Sequence, residues 1–257
     1  MTALPNYSNP VIKVEGLKLA YGDHLVLQNL TFEVQQGSCL VIMGGSGCGK
    51  STLLKSLVGL LPPILGDVQI NKKHLWGDDE LRADILRDLG VLFQGGALWS
   101  SMSIKENVSL PLEIYTDLDE TEVEDLVRYK LSLVGLSGFE DFYPSELSGG
   151  MKKRAGLARA MALDPKILFF DEPSAGLDPI TSRRLDDLIT ELKESLGITF
   201  VVVTHELASI FEIADDAIFL DAQSKSLLEQ GEPKGLLNGS KFPQVIDFLT
   251  RNDSSSS

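Results

Sequence analysis

An apolar run that passes directly into a glycine-rich loop constrains this chain more than any other feature. Cys39-Leu-Val-Ile-Met43 is continuous and apolar, which is typical of a strand buried on both faces of a parallel sheet. The next residues, Gly44-Gly-Ser-Gly-Cys-Gly-Lys-Ser51, match the pattern G-x-x-x-x-G-K-[ST], and Lys50–Leu57 has the spacing of an amphipathic helix. A strand, a tight loop and a helix in this order predict a phosphate-binding loop in an α/β fold.

The chemistry of phosphate binding explains the residue types in this loop. Glycines let the backbone curl so that its N–H groups point at phosphate oxygens. We expect the Lys50 ammonium group to lie at the β and γ phosphates and the Ser51 hydroxyl to bind Mg²⁺. Cys48 is interpreted as a small filler rather than a redox switch. The predicted phosphate-contacting residues are Gly44, Gly45, Ser46, Gly47, Cys48, Gly49, Lys50, Ser51 and Thr52.

A second apolar run ends in two adjacent carboxylates, in Ile167-Leu-Phe-Phe-Asp171-Glu172. An acid at the carboxyl end of a parallel strand beside a phosphate loop is placed to hold Mg²⁺, which predicts Asp171 as a metal ligand. Glu172 would then face the water that attacks the γ-phosphate, as general base or orienting residue. The alternative is that both acids only cap the next helix.

The remaining patterns predict a three-layer core with parallel strands. Ile198–Val203 is a third buried run, and the segment before it carries leucines and an isoleucine at helical spacing. Val11–Val14 and Leu25–Val34 alternate as antiparallel strands do, around a turn at Tyr21-Gly-Asp23. Helical stripes at 123–134 and 148–163 predict a helical lobe over about 96–164, inserted into the α/β core.

Length and composition exclude several classes. A chain of 257 residues with 43% hydrophobic and 23% charged residues is typical of one globular domain, and we expect 1–10 and 251–257 to be flexible tails. No apolar run reaches the roughly 18 residues of a membrane span, and the start lacks a signal peptide. Only two cysteines, Cys39 and Cys48, indicate a reducing compartment. A net charge of −14 argues against nucleic acid as a partner.

One further segment indicates the family. Leu147-Ser-Gly-Gly-Met151 starts a helix that is prepared to bind a second anion, although one compact site does not need two phosphate cradles. With this segment the chain resembles the ATP-binding cassette (ABC) ATPases over nearly its whole length. The resemblance implies an ABC ATPase domain over 11–250, with a RecA-like P-loop NTPase core, an antiparallel β subdomain and the inserted helical subdomain. It also implies ATP and Mg²⁺ as cofactors.

The same resemblance assigns roles to single residues. Tyr21 would stack on adenine, Gln94 would sense Mg²⁺ and the attacking water, and His205 would contact the γ-phosphate. The segment Ser148, Gly149 and Gly150 would complete the ATP site of the opposite subunit, and Asp178 belongs to a loop that crosses the dimer interface. A homodimer with composite ATP sites follows. The implied catalytic residues are Glu172, His205 and Gln94, and the implied metal ligands are Ser51, Gln94 and Asp171.

A finer resemblance points to the ATPases of Mla-type, MCE-associated phospholipid transporters. It is carried by Leu92-Phe-Gln-Gly-Gly-Ala-Leu98, Asn107-Val-Ser-Leu-Pro-Leu-Glu113 and Pro144–Met151. It implies phospholipid trafficking between inner and outer membranes, powered by the homodimer beneath two copies of an MlaE-like permease. An MCE-domain, MlaD-like protein would belong to the same complex, and a STAS-domain, MlaB-like subunit often docks on the helical lobe. The expected location is cytoplasmic, peripheral on the cytoplasmic face of the inner membrane.

Several alternatives stay open. The chain could serve another ABC importer or exporter, such as a solute importer or a lipoprotein-release ATPase. It could also be a soluble ABC factor acting on ribosomes or DNA, which the charge opposes, or a regulatory module without turnover, which Glu172 and His205 oppose. Trp99 and Met102, just after Gln94, predict either a groove for a coupling helix of the permease or part of the core of the helical lobe.

Overall fold

The structure of the chain, a computed structural model, describes residues 10–250. The tails predicted at the two ends lie outside the described residues, except that Pro10 begins the first strand. The strands are β1 Pro10–Tyr21, β2 His24–Gln35, β3 Cys39–Gly44, β4 Leu65–Ile70, β5 Lys73–His74, β6 Leu89–Leu92, β7 Ile167–Asp171, β8 Thr199–Val203, β9 Asp216–Asp221 and β10 Ser226–Gly231. The helices are α1 Lys50–Leu57, α2 Asp79–Arg87, α3 Ile104–Tyr115, α4 Glu120–Leu133, α5 Gly149–Ala160, α6 Pro179–Leu196, α7 Leu207–Ile213, α8 Pro233–Gly239 and α9 Pro243–Thr250.

A six-stranded sheet of order β10-β9-β3-β8-β7-β6 forms the centre of the molecule. The pairs β3–β9, β3–β8, β8–β7 and β7–β6 are parallel, and only β10 runs antiparallel to its neighbour. Every residue of β3 and of β8 is buried, as their continuous apolar sequences predict. The predicted α/β fold with parallel strands is confirmed. Packing against both faces accounts for the two separate clusters of buried side chains.

A second sheet of order β2-β1-β4-β5 is antiparallel, which confirms the predicted antiparallel pair. β1 is longer than the predicted strand Val11–Val14 and continues to the turn before His24. This sheet buries side chains of β1 and β2 together with Leu53, Leu54 and Leu57 of α1. It therefore covers the helix that follows the glycine-rich loop.

Three helices, α3, α4 and α5, lie between β6 and β7 in the chain. Ser103 and Asp119 begin α3 and α4 with complete capping boxes, and Ser148 caps α5 through its hydroxyl group. α4 ends just before Gly135, which has the positive φ of +65° that stops a helix. α5 ends at Ala160 rather than at Leu163, because residues 161–163 form a turn. None of the helices within 10–250 combines the length and the apolar character needed to cross a membrane.

Two glycines bring α5 unusually close to the edge of the central sheet. A Cβ atom at Gly90 of β6 would lie 2.2 Å from the carbonyl oxygen of Ala160, at the end of α5. A Cβ atom at Gly156 would lie 2.8 Å from the carbonyl oxygen of Gly96, in the loop after β6. Real Cβ atoms do not approach other atoms so closely, so α5 is seated on β6 and its following loop at a distance that only glycines allow.

Asn107 of α3 holds the loop between β6 and α3. Its side chain is fully buried, and Oδ1 accepts a hydrogen bond of 2.7 Å from the backbone N–H of Trp99. Its Nδ2 group donates to the carbonyl oxygens of Trp99, Met102 and Ser103 at 2.9–3.1 Å. One buried amide thus satisfies backbone groups of a segment that has no regular secondary structure.

We predict that Asn107→Leu destabilises the protein by about 3 kcal/mol, because a Leu of similar size leaves the N–H group of Trp99 and the carbonyl group of Met102 without the amide that pairs with them. For a chain of this length the expected fall in melting temperature is roughly 6–12 °C. The control is Asn238→Leu, since Asn238 is exposed and bonds only within α8. Equal melting temperatures for the two variants would contradict the anchoring role.

Candidate active site

The glycine-rich loop follows β3 with a backbone that only glycine adopts at its first position. Gly44 has φ +144°, and a Cβ atom there would lie 2.3 Å from the carbonyl oxygen of Leu220 on the neighbouring strand. Gly47 and Gly49 also have positive φ angles, of +75° and +103°. The loop is therefore curled tightly, as the sequence pattern predicts, and it ends where α1 begins.

Lys50 folds back over this loop. Its Nζ donates hydrogen bonds to the carbonyl oxygens of Gly44 at 2.8 Å and Gly45 at 2.9 Å. Gly49 caps α1 without a side chain, so the N–H groups of the first helical turn have no side-chain acceptor. A flexible cation and unpaired N–H groups at a helix start form a cradle suited to phosphate oxygens.

Cys48 faces the interior rather than the cleft. Its side chain is 2% exposed and its Sγ lies 3.9 Å from the Lys50 ammonium group. Burial raises the pKa of the Cys48 thiol, and the Lys50 charge opposes that rise only in part. A buried thiol with a raised pKa is unreactive, which supports the interpretation of Cys48 as a filler residue. Contact with phosphate from this position would have to come from its backbone.

Ser51 and Asp171 form the pair of oxygens expected of a magnesium site. The Ser51 hydroxyl donates to Oδ1 of Asp171 at 3.3 Å, which joins the start of α1 to the end of β7. Mg²⁺ prefers oxygen ligands and is commonly held by one or two protein groups together with phosphate oxygens and water. No group of three or more His, Cys, Asp or Glu side chains within 10–250 could hold a metal ion by itself. The donor set present therefore fits Mg²⁺ only in combination with a bound phosphate.

Glu172 and His205 form the second polar pair at this edge of the sheet. Oε1 of Glu172 and Nδ1 of His205 are joined by a hydrogen bond of 2.9 Å. Oε2 of Glu172 is buried and accepts no hydrogen bond from the described residues, so this oxygen has unused acceptor capacity. The backbone N–H of Glu172 donates to the carbonyl oxygen of Val203 on β8 at 2.8 Å. The arrangement is suited to orienting a water and taking its proton.

The alternative interpretation of the two acids, as caps of the next helix, is wrong. α6 is capped by Asp178, whose Oδ1 accepts hydrogen bonds of 3.1 Å from the N–H groups of Ile180 and Thr181. Asp171 and Glu172 precede that cap and face the phosphate loop and His205 instead.

One cleft of about 660 Å³ brings most of the predicted residues together. Predicted residues that line it are Gly44, Gly45, Ser46, Gly47, Gly49, Lys50, Ser51, Thr52, Gln94, Glu172 and His205. Val26 and Phe248 line it as well, and the sequence offered no local signal for either. Phe248 is positioned by an edge-to-face contact with Phe219 of β9, with ring centroids 5.4 Å apart.

Other predicted residues lie elsewhere in the described chain. Tyr21 ends β1 with 47% of its surface exposed and does not line this cleft, although Val26 on the neighbouring strand does. Ser148 and Gly150 line a separate cleft of about 600 Å³, and Gly149 lies between them at the start of α5. A Cβ atom at Gly150 would lie 2.3 Å from Cγ2 of Thr181, so this glycine also lets α5 pack against α6.

Lys153 is a polar residue of this region to which the sequence assigned no role. It lies on α5 with 6% of its surface exposed, and its Nζ donates to the carbonyl oxygens of Gln94 and, at 3.4 Å, of Glu172. A sequence signal existed, because the spacing places Lys153 on one helical face with Gly150 and Leu157. The structure buries all three residues. A lysine in such a stripe indicates a partnered cation.

Comparison with known proteins identifies the family. The family model described as ABC transporter matches residues 27–175. A probable ribonucleotide transport ATP-binding protein of Mycobacterium leprae is 40% identical over 239 residues, which cover 93% of this chain and 68% of that protein. The intermembrane phospholipid transport system ATP-binding protein MlaF of Haemophilus influenzae is 39% identical over 241 residues, which cover 93% of this chain and 90% of that protein. MlaF of Escherichia coli K12 is 37% identical over 240 residues, covering 93% and 88%.

Solved structures agree with this identification. CbiO1 of Clostridium perfringens, part of the ABC transporter complex CbiONQ, superimposes with a TM-score of 0.83 and 28% identity, covering 95% of this chain and 98% of that one. The ATP-binding cassette MJ0796, in a dimeric post-hydrolysis state bound to ADP and phosphate, gives a TM-score of 0.78 and 30% identity, covering 86% and 98%. The chain belongs to the ABC transporter family, as an ATP-binding subunit that hydrolyses ATP.

Proposed function

We propose that this chain powers phospholipid trafficking between inner and outer membranes as the ATPase of an Mla-type transporter. The observation that carries the proposal is the alignment with two MlaF proteins, which spans 93% of this chain and 88–90% of theirs at 37–39% identity. The glycines after Gln94 and the methionine after Gly150 are the features of this branch within the chain.

Ribonucleotide transport is the second candidate function, because the Mycobacterium leprae relative with that name is 40% identical. The two names disagree on the cargo while the identities are nearly equal. Phospholipid is favoured because the match extends over nearly the full length of the MlaF proteins but over 68% of the mycobacterial protein. Fold and site do not decide between them, since cargo contacts the membrane subunits of such a transporter.

The cleft supports a hydrolytic mechanism built from this chain's own groups. Lys50 exchanges its backbone carbonyl acceptors for the β and γ phosphates, and the loop N–H groups bind the remaining oxygens. Ser51, Asp171 and Gln94 would hold Mg²⁺, which would neutralise charge on the phosphates. Glu172 orients the attacking water and accepts its proton, while His205 fixes the Glu172 carboxylate and reaches the γ-phosphate.

A homodimer with composite sites accounts for the separation of the two anion-binding segments. Ser148 lies in a different cleft from the phosphate loop, so a single subunit cannot use both for one nucleotide. The dimeric state of the cassette MJ0796 supports the same arrangement. In the proposed dimer Ser148, Gly149 and Gly150 contact ATP held by the partner, Asp178 lies at the interface, and Tyr21 stacks on adenine.

The loop after Gln94 supports a contact with a permease. Trp99 is 59% exposed, so the core interpretation is wrong for this residue, whereas Leu98 packs against the core and Met102 is half-buried. The backbone of the loop is anchored by Asn107, so an exposed indole is presented on a fixed support. We propose that it contacts an MlaE-like permease on the cytoplasmic face of the inner membrane.

An MCE-domain MlaD-like protein and a STAS-domain MlaB-like subunit complete the proposed complex. Within this chain, residues 96–164 form the proposed helical subdomain.

We predict that the chain co-purifies from membranes with a permease and an MCE-domain protein, and that phospholipid is the bound small molecule. Trp99→Ala should lower recovery of the permease about tenfold or more, because losing a central aromatic contact costs about 1.4 kcal/mol or more. Its ATP affinity and melting temperature should equal those of the parent. Leu196→Ala, which removes an exposed apolar side chain at the end of α6, is the control.

Mass spectrometry of the purified complex decides the cargo. A ribonucleotide other than ATP or ADP in place of lipid, with ATPase activity stimulated by that ribonucleotide and not by lipid, would reject the phospholipid proposal. Full recovery of the permease with Trp99→Ala would reject the contact surface.

We predict that Glu172→Gln retains ATP binding but lowers the rate of hydrolysis by about 10²–10⁴-fold, since the amide keeps the shape and cannot accept the proton. The variant should accumulate as an ATP-bound dimer, measured by size-exclusion chromatography with labelled ATP. Glu194→Gln, at an exposed position of α6, is the matched control. A normal rate with Glu172→Gln would assign the proton acceptor to another group.

We predict that Ser148→Arg abolishes hydrolysis while its own phosphate loop still binds ATP, and that Lys50→Ala weakens ATP binding about tenfold or more. A heterodimer of the two variants, purified through two tags, contains one intact composite site. It should therefore regain at most half of the parental ATPase rate.

Ser195→Arg, which places the same charge at an exposed position of α6, controls for the added arginine. Parental activity in the Ser148→Arg homodimer, or full activity in the heterodimer, would disprove shared sites.

A further inference from the structure

Lys153 joins three parts of the site that are far apart in the chain. Its side chain starts from α5, which begins at the Ser148 cap, and it reaches the end of β6 and the end of β7. The acceptors are backbone carbonyl oxygens of Gln94 and Glu172, the residues expected to handle the attacking water. A buried ammonium group with two carbonyl acceptors is a fixed connection, because leaving either acceptor costs a hydrogen bond to a charge.

The backbone at Glu172 explains why its carbonyl group is within reach. Glu172 has φ +49°, in the left-handed region that a residue with a side chain adopts at a cost of about 1–2 kcal/mol. Such strain persists only where the surroundings hold it. Here the N–H group donates to Val203 of β8, and the carbonyl oxygen accepts from the backbone N–H of Ala175 at 3.2 Å and from Lys153 at 3.4 Å. The direction of the Glu172 carboxylate depends on this backbone conformation.

α5 is itself fixed in place, so the lysine is a rigid support. The close approaches at Gly90 and Gly156 leave no space for the helix to move toward the sheet. Arg159 lies on the same helix, C-terminal to Lys153. Its guanidinium group donates a hydrogen bond of 2.6 Å to the carbonyl oxygen of Ala97, which belongs to the loop after Gln94. The helix thus holds the backbone at Gln94 and at Ala97, three residues further along the loop.

The charge of Lys153 faces the two acids of the site. Burial lowers the pKa of Lys153, while the carboxylates of Asp171 and Glu172 act in the opposite direction. An uncharged side chain of similar length would fill the same space without holding either carbonyl group.

We propose that Lys153 is a positioning residue for ATP hydrolysis, which fixes the backbones of Gln94 and Glu172 to α5 and thereby orients both side chains toward the attacking water. The inference rests on the proposed role of Glu172 as the group that handles this water. Lys153 itself touches neither nucleotide nor water in this scheme, so its effect is on the hydrolytic step rather than on binding.

The test compares Lys153→Met, Lys153→Arg and the control Lys152→Met in the full-length chain. Lys152 is the neighbouring lysine on α5, is half-buried, and its ammonium group is not part of the site described above. Lys153→Met should lower kcat at least tenfold while the KM for ATP and the affinity for labelled ATP change less than threefold. Lys153→Arg retains a donating cation and should restore kcat to within threefold of the parent.

A second measurement separates positioning from mere folding. Single-turnover hydrolysis is compared between Glu172→Gln and the double variant Glu172→Gln with Lys153→Met. Because Lys153 acts in part through Glu172, the double variant should lose less relative to Glu172→Gln than Lys153→Met loses relative to the parent, since coupled residues are non-additive. Should Lys153→Met fail to fold, Lys153→Leu replaces it, since leucine also donates no hydrogen bond to either carbonyl group.

Unchanged kcat in a folded Lys153→Met or Lys153→Leu variant would overturn the inference. So would a further loss in the double variant as large as the loss that Lys153→Met alone causes, or a loss of kcat that is matched by an equal loss of ATP affinity and that Lys153→Arg does not restore. These outcomes differ from a failure of the proposed role of Glu172, which a normal rate with Glu172→Gln alone would reveal.

Discussion

Parallel hydrogen bonding among β3, β8 and β7 is the constraint on which the rest of this structure depends. Ile42 pairs with Val203, and Val203 pairs with Asp171, so the three strands end at one edge of the sheet. The phosphate loop, the two acids and His205 each follow one of these ends. Groups separated by more than a hundred residues in sequence therefore meet without any flexible segment having to place them.

Close packing of α5 connects the helical part of the molecule to the carboxyl ends of these strands. Gly90 and Gly156 allow backbone to lie against backbone, which places Lys153 beneath the ends of β6 and β7. A larger residue at either glycine would push the helix away from the sheet and move the lysine with it. Packing and chemistry are thus coupled, because the residues that seat the helix also determine which backbone groups its cation reaches.

The phosphate loop and the helix start at Ser148 line different clefts, which is the basis of the proposed dimer with composite sites. Ser148 is held by its capping role at α5, and Asp178 by its capping role at α6. Both helix starts are set by local hydrogen bonds that need no partner. A second subunit can therefore meet surfaces that are already formed, which lowers the entropic cost of assembling the composite site.

The sequence by itself determined the parts whose signals are local: the buried strands, the glycine loop at Gly44, the acids after β7 and the caps before α5. It determined their chemistry as well, because a phosphate cradle needs glycines and a cation whatever the surrounding fold. Only the tertiary structure decided which groups meet across the chain. It added Val26 and Phe248 to the cleft, left Tyr21 outside it, and gave Lys153 its two carbonyl acceptors. The physical reason is that contacts between distant segments depend on strand order and helix seating, which no short sequence pattern encodes.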